Sequence, residues 1–189
     1  MALLTPQLID SDRLYLRPAQ REDLPALLAV NGDDRVTRFL PYPTWTSGAD
    51  GEAWYDRMAS LQESGQAYQL VIVAKSSQSP IGSCLLFNHD ENSQRAELGY
   101  VLGYKYWGRG LMAEALRALL ECAFGTMELR RLEAEVNPAN AASIRLLERT
   151  GFNREGLLRQ RWVVASEPYD VAVYGLLRNE YQARSTPRG

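Results

Sequence analysis

Two glycines one residue apart, Gly108 and Gly110, stand between an alternating segment (RAELGYVL, Arg95–Leu102) and an apolar helical pattern. Lacking a Cβ, they let the backbone approach a ligand closely and take conformations other residues avoid. A helix that opens directly after such a loop directs unpaired N–H groups and the positive end of its dipole outward, which suits phosphate oxygens. The stretch Gly108-Arg109-Gly110-Leu111-Met112-Ala113 formally fits the dinucleotide pattern G-x-G-x-x-G/A, and Glu128 and Glu135 lie roughly where a ribose-binding acid belongs. The surroundings oppose that label. A dinucleotide fold sets its loop after a parallel strand buried on both faces and read as a continuous apolar run, whereas RAELGYVL alternates. The about 80 residues after the loop supply only one strand–helix alternation before a final hairpin. A mononucleotide P-loop fails too, because no Gly-Lys-Ser/Thr follows.

Other reactive side chains point nowhere. His89 lies in a turn sequence, HDENS, and Cys84 and Cys122 sit in apolar contexts without C-x-x-C spacing, so buried reduced thiols and no metal are expected. A length of 189 residues suits one domain with a real core. With 46% hydrophobic and 23% charged residues and a net charge of −2, the chain reads as soluble, without a basic footprint for nucleic acid. MALLTPQLIDSDR is too short and polar for a secretion leader, and no apolar run reaches membrane-spanning length. A cytoplasmic protein with no membrane partner is expected.

The elements that must position the loop follow from periodicity. Arg13–Arg17 alternates as a half-buried strand. Asp23–Asn31 and Ala49–Ser64 have helical spacing, and Phe39–Trp45 between them carries two prolines that force a non-helical connection. That aromatic connection either packs on the core or covers a substrate. Tyr68–Lys75, Ile81–Asn88 and Arg95–Leu102 form an antiparallel meander joined by short turns. A helix is expected from about Gly110 to Thr126, then a strand at Arg131–Val136. A short helix at Ala141–Thr150 is capped by Asn140 and ended by Gly151, and Leu157–Val164 and Asp170–Leu177 close the chain as strands.

In YWGRGLMAEA, followed about 30 residues later by NPANAASIRLLERTGF, the chain resembles the GNAT acetyltransferase superfamily. More narrowly it is similar to the branch holding the bacterial ribosomal-protein N-terminal acetyltransferases. SDRLYLRPAQREDLPAL, AELGYVL and EPYDVAVYGLL extend the likeness over nearly the whole chain. The resemblance implies an α/β (α+β) fold with a mixed, mostly antiparallel central sheet and a splayed strand pair, in the order β-α-α-β-β-β-α-β-α-β-β. Residues 1–184 would form a single acetyltransferase domain and 185–189 a flexible tail. The resemblance further implies acetyl-CoA as co-substrate. Its pyrophosphate would lie on the backbone of Trp107, Gly108, Arg109, Gly110, Leu111 and Met112, and its pantetheine along Tyr100, Val101 and Leu102, with Asn140 and Ser143 in contact. Arg109 either adds charge to a phosphate or is simply solvated.

Transfer of an acetyl group from a thioester to an amine needs a neutral amine, a polarised carbonyl and a proton for the departing thiolate. By the resemblance Glu97 matches a general-base position and Glu135 a position used by a different subgroup, with Glu97 favoured; the structural alternative pairs Glu97 with Arg95. A strand amide near Tyr100 or Val101 would polarise the carbonyl. Many members place a tyrosine where this chain has Leu147, so Ser143 is the candidate for proton donation or hydrogen bonding to sulfur. Neither cysteine lies near the loop, so direct transfer is expected. Phe39, Trp45, Trp162, Tyr169, Asp170 and Tyr174 would bound the acceptor pocket, with Asp170 either holding an ammonium or amide or capping a turn at Pro168–Asp170. The acceptor is an amine, either a protein N-terminus or a small molecule; a non-catalytic acyl-CoA-binding module is the reading of another class. Monomer and homodimer are both compatible.

Overall fold

The segment Ala67–Ala74 is buried along its whole length, which demands cover on both faces of its sheet. The computed structural model describes residues 6–185 and supplies that cover. The strands are β1 (Ile9–Asp10), β2 (Leu14–Pro18), β3 (Ala67–Ala74), β4 (Ser79–Asp90), β5 (Arg95–Leu102), β6 (Arg131–Val136), β7 (Asn153–Val164) and β8 (Glu167–Leu177). The helices are α1 (Leu24–Asn31), α2 (Asp34–Thr37), α3 (Gly48–Glu63), α4 (Leu111–Phe124), α5 (Ala141–Thr150) and α6 (Arg178–Ser185). One sheet takes the order β1-β2-β3-β4-β5-β6-β8-β7, and every neighbouring pair is antiparallel except β5 and β6.

Alternation along β3 splits the interior in two. Leu70 and Ile72 join Leu116, Leu119 and Leu120 of α4 in the main core, while Val71 and Val73 meet Leu27 of α1 and Trp45 on the other face. The mixed, mostly antiparallel sheet and the expected element order are both present. The two-residue β1, the single turn α2 and the polar α6 are additions; their sequences are too short or too hydrophilic to carry a period. β7 starts at Asn153 rather than Leu157: bulges at Arg154/Gly156 and Leu158/Trp162 break the alternation of an otherwise exposed strand. The hairpin turn falls at Ala165–Ser166, with φ of 50° and 69°, not at Pro168–Asp170. The expected tail is 185–189, but Ser185 ends α6; residues 186–189, and the first five residues of the stretch on which the leader reading rests, lie outside the described residues.

The parallel pair sets up everything that follows. β5 and β6 are in register only at Arg95↔Arg131, Ala96↔Leu132 and Glu97↔Glu133. Beyond Glu97 the strands part, because β6 stays paired with β8 through Val136↔Ala172 while β5 stays paired with β4 through Leu102↔Gly82.

A second tie fixes α4 against the first strands. Glu114, in the first turn of α4 and only 9% exposed, accepts from the Arg13 amide (2.7 Å), the Arg13 Nε (2.6 Å) and the Ser11 hydroxyl (2.9 Å). Arg13 Nη1 also donates to the carbonyl of Arg109 at 3.1 Å. Burial alone would push the Glu114 carboxyl upward, but the Arg13 and Ser11 hydrogen bonds outweigh it and hold the group below the usual glutamate range. A lowered carboxylate stabilises the fold above its unfolded value of about 4.3, and that contribution disappears as pH falls through the lowered native value. Glu114→Ala should therefore cost about 1–3 kcal/mol at neutral pH, and Glu114→Gln should flatten the acid side of the stability profile, both measured by urea unfolding across pH.

Candidate active site

The glycine loop keeps its backbone unusual by necessity. Gly108 has φ +71° and Gly110 φ +74°, a region costly for any residue with a Cβ. Gly110 is the N-cap of α4, and the first helical bond recorded there runs from the Glu114 amide to the Gly110 carbonyl. The amides of Leu111, Met112 and Ala113 precede that bond and point out of the helix end. Trp107 belongs to the loop differently. Its amide is spent on the Tyr104 carbonyl at 3.1 Å, and its indole Nε1 donates to the Leu102 carbonyl at 2.7 Å. The side chain thus staples the loop to the end of β5. Arg109 is exposed and contributes its carbonyl to Arg13; its side chain is outside the cavity lining.

A cavity of about 1920 Å3 runs from this loop through the gap between β5 and β6 to the aromatic connection after α2. Tyr100, Val101, Leu102, Trp107, Gly108, Gly110, Leu111, Met112, Asn140 and Ser143 all line it, together with Glu97 and Glu135. Alternation places Glu97, Glu133 and Glu135 on one face of the parted strands, yet their partners differ sharply. Glu133 is held by Arg95 (3.0 Å) and Arg131 (2.8 Å). Glu135 accepts from the Trp162 indole (2.9 Å) and pairs with Arg161 (3.3 Å). Glu97 accepts from the Asn88 amide at 2.9 Å and, among the described residues, pairs with no cation. Arg95 pairs with Asp90 and Glu133 rather than Glu97. Asn88 reaches Glu97 from the irregular end of β4, where its φ is +50° and the register slips.

At the other wall, Asn140 caps α5 by accepting from the Ser143 amide at 3.1 Å. Leu147 is 1% exposed in the main core, so α5 offers no polar group at that position. A phenol arrives instead from the strand: the Tyr100 hydroxyl lies 2.6 Å from Ser143 Oγ. Burial pushes that phenol up to about 12, with the Ser143 hydrogen bond pulling the other way. Sequence reasoning placed Tyr100 here for its backbone alone. It also missed Arg13, whose role depends on contacts 96 and 101 residues away; the alternating RLYLR motif signalled only a strand.

The acceptor-side expectations divide. Phe39, Trp45, Trp162 and Tyr169 line the cavity, joined by Tyr42 and Trp54. Trp45 is largely buried, with its ring 5.7 Å from that of Trp54, so the connection packs on the core and also walls the cavity. Tyr174 and Asp170 do not belong with them. Alternation along β8 turns Tyr174 into the main core, 1% exposed, with its hydroxyl 3.5 Å from Glu148 of α5. Asp170 stands on the exposed hairpin, accepting from the Gln160 amide at 2.9 Å and so capping the bulge in β7.

Comparison with known proteins agrees with this geometry. Residues 13–153 match the family described as acetyltransferase (GNAT) domain. The Bacillus licheniformis protein described as "Uncharacterized N-acetyltransferase p20" is 34% identical over 171 residues, covering 90% of this chain and 96% of that one. The [Ribosomal protein uS5]-alanine N-acetyltransferase of Escherichia coli is 34% identical over 127 residues, 65% of this chain and 66% of that one. A crystal structure of spermidine N-acetyltransferase from Vibrio cholerae, in complex with CoA and spermine, superposes with a TM-score of 0.79 at 20% identity, covering 91% of this chain and 99% of that one; at that identity the likeness is one of fold. The chain belongs to the GNAT acetyltransferases and is an acetyl-CoA-dependent N-acetyltransferase.

Proposed function

We propose that the acceptor is a protein N-terminal α-amine, that Glu97 is the general base, and that the glycine loop with α4 holds the pyrophosphate of acetyl-CoA. The observation that carries the base assignment is the pairing pattern: of three carboxylates at the strand gap, Glu133 and Glu135 are tied to arginines, and Glu97 alone keeps a charge free to receive a proton. An ammonium must lose a proton before its nitrogen can attack, and a carboxylate within reach, directly or through one water, is the group to take it. The outward amides of Leu111, Met112 and Ala113 and the αL glycines suit phosphate oxygens. The edge of β5 from Tyr100 to Leu102, unpaired toward β6, suits an amide-bearing arm, and a Tyr100 or Val101 amide there would polarise the thioester carbonyl. Asn140 and Ser143 flank that arm.

The acceptor reading rests on charge. A polyamine brings several cations, but at the wall beside the aromatics Arg38 and Arg57 have no carboxylate partner among the described residues, while the Asp34 and Asp50 carboxylates already accept from Thr44 and from Thr46 and Ser47. A peptide brings a single ammonium and an apolar or polar backbone, which suits Phe39, Tyr42, Trp54, Trp162 and Tyr169. The named activity of the Escherichia coli relative, acting on a protein alanine, supports the same class.

Three outcomes test this. Saturating acetyl-CoA at 100 times its Kd should stabilise the protein by about 2.7 kcal/mol, roughly 5–10 °C in Tm, and Gly110→Ala should largely remove the shift; stabilisation by a nicotinamide dinucleotide instead would overturn the donor site. Glu97→Gln should lower kcat about 100-fold, most at low pH where the amine is protonated, with KM for acetyl-CoA within about twofold, and Glu135→Gln should do far less. An unchanged pH–rate profile removes Glu97 from the mechanism. In a thiol-release assay, peptides with a free α-amine should exceed spermidine and free amino acids by at least about tenfold in kcat/KM, and the reverse order sinks the acceptor assignment.

A further inference from the structure

Ser143 presents a chemical difficulty. An alcohol is a much weaker acid than a thiol, so it cannot protonate a departing thiolate to completion. It can donate a hydrogen bond to it, and a hydrogen bond to an ionised group is among the stronger kinds. That needs the single hydroxyl proton to point at sulfur rather than at a neighbour.

Tyr100 bears on where the proton points. Its hydroxyl is 2.6 Å from Ser143 Oγ and 3.5 Å from the Ser143 carbonyl. Either hydroxyl can donate by geometry; the phenol is the stronger acid, which favours Tyr100 as donor and Ser143 Oγ as acceptor. Burial keeps the phenol protonated well above neutral pH. The Ser143 amide is meanwhile fixed by Asn140, and the side chain faces the cavity. With its lone pair engaged by Tyr100, Ser143 has its own proton left for the cavity side.

We propose that Tyr100 is a positioning residue whose phenol holds the Ser143 hydroxyl as an outward hydrogen-bond donor to the sulfur of coenzyme A. The inference rests on the coenzyme placement proposed above. In the transfer the amine nitrogen bonds to the acetyl carbon, the C–S bond breaks with its electron pair passing to sulfur, and the amine proton leaves toward the general base. Tyr100 and Ser143 keep their protons throughout; their contribution is to stabilise the thiolate. With Leu147 committed to the core, the phenol at this wall comes from β5 rather than α5.

Two readouts test it. The thiol pKa of bound coenzyme A, followed by the ultraviolet absorbance of the thiolate, should rise by about one unit in both Tyr100→Phe and Ser143→Ala, a tenfold weakening of the thiolate. kcat should fall about tenfold in each, with KM for acetyl-CoA within about twofold, and the double variant should lose no more than either single one. Losses that multiply in the double variant overturn the proposal, as does Tyr100→Phe with wild-type kcat and thiol pKa, or one whose only change is a lower Tm. Failure of the unmodified protein to bind coenzyme A would sink the donor-site reading and this inference with it. Binding with a thiol pKa indifferent to both substitutions sinks this inference alone.

Discussion

Every feature of the site depends on a parallel strand pair that lasts three residues. β5 and β6 leave register after Glu97↔Glu133, each held by its other neighbour. Backbone N–H and C=O groups inside a protein must be satisfied, and a strand edge in mid-sheet is therefore a strong statement about what belongs beside it. The gap also decides which side chains become chemical. Glu97 is the last residue of β5 paired with β6, so it stands at the floor of the opening, while Tyr100 lies farther along on the opposite face of the same strand.

The two faces of that strand divide the labour by period-two alternation. Glu97, with Val101, faces the side of α1 to α3 and the aromatic connection, the side proposed for the amine. Tyr100 faces α5 and reaches Ser143, on the side proposed for the thioester. A one-residue slip of β5 would exchange these roles, so the meander with β3 and β4, buried on both faces, does more than build a core. Trp107, through its bond to the Leu102 carbonyl, ties the end of the strand to the loop.

Much of this was legible in the chain itself. Gly108 and Gly110 announced a backbone that only glycine takes cheaply, and Asn140 and Gly151 bracketed α5 at its true ends. The alternation of RAELGYVL identified a strand with two distinct faces. What could not be read was pairing between distant residues. Glu133 meets its arginines because β5 and β6 lie in register, Glu135 because β7 folds back beside β8, and the bulges that deliver Arg161 and Trp162 leave no periodic trace. Tyr174 went astray for a related reason: its position on the hairpin was apparent, but not which face of β8 turned inward.

The Arg13–Glu114 contact carries a consequence for how the molecule comes into being. It joins residues 101 positions apart, and contacts of such separation form late because the intervening chain must first give up its loop entropy. The N-terminal end of α4, proposed above for the pyrophosphate, is thus set only when the first strands have docked beside β3. Before that docking the chain possesses the glycines but not their bracing, so the site proposed for the coenzyme is complete only when the fold is.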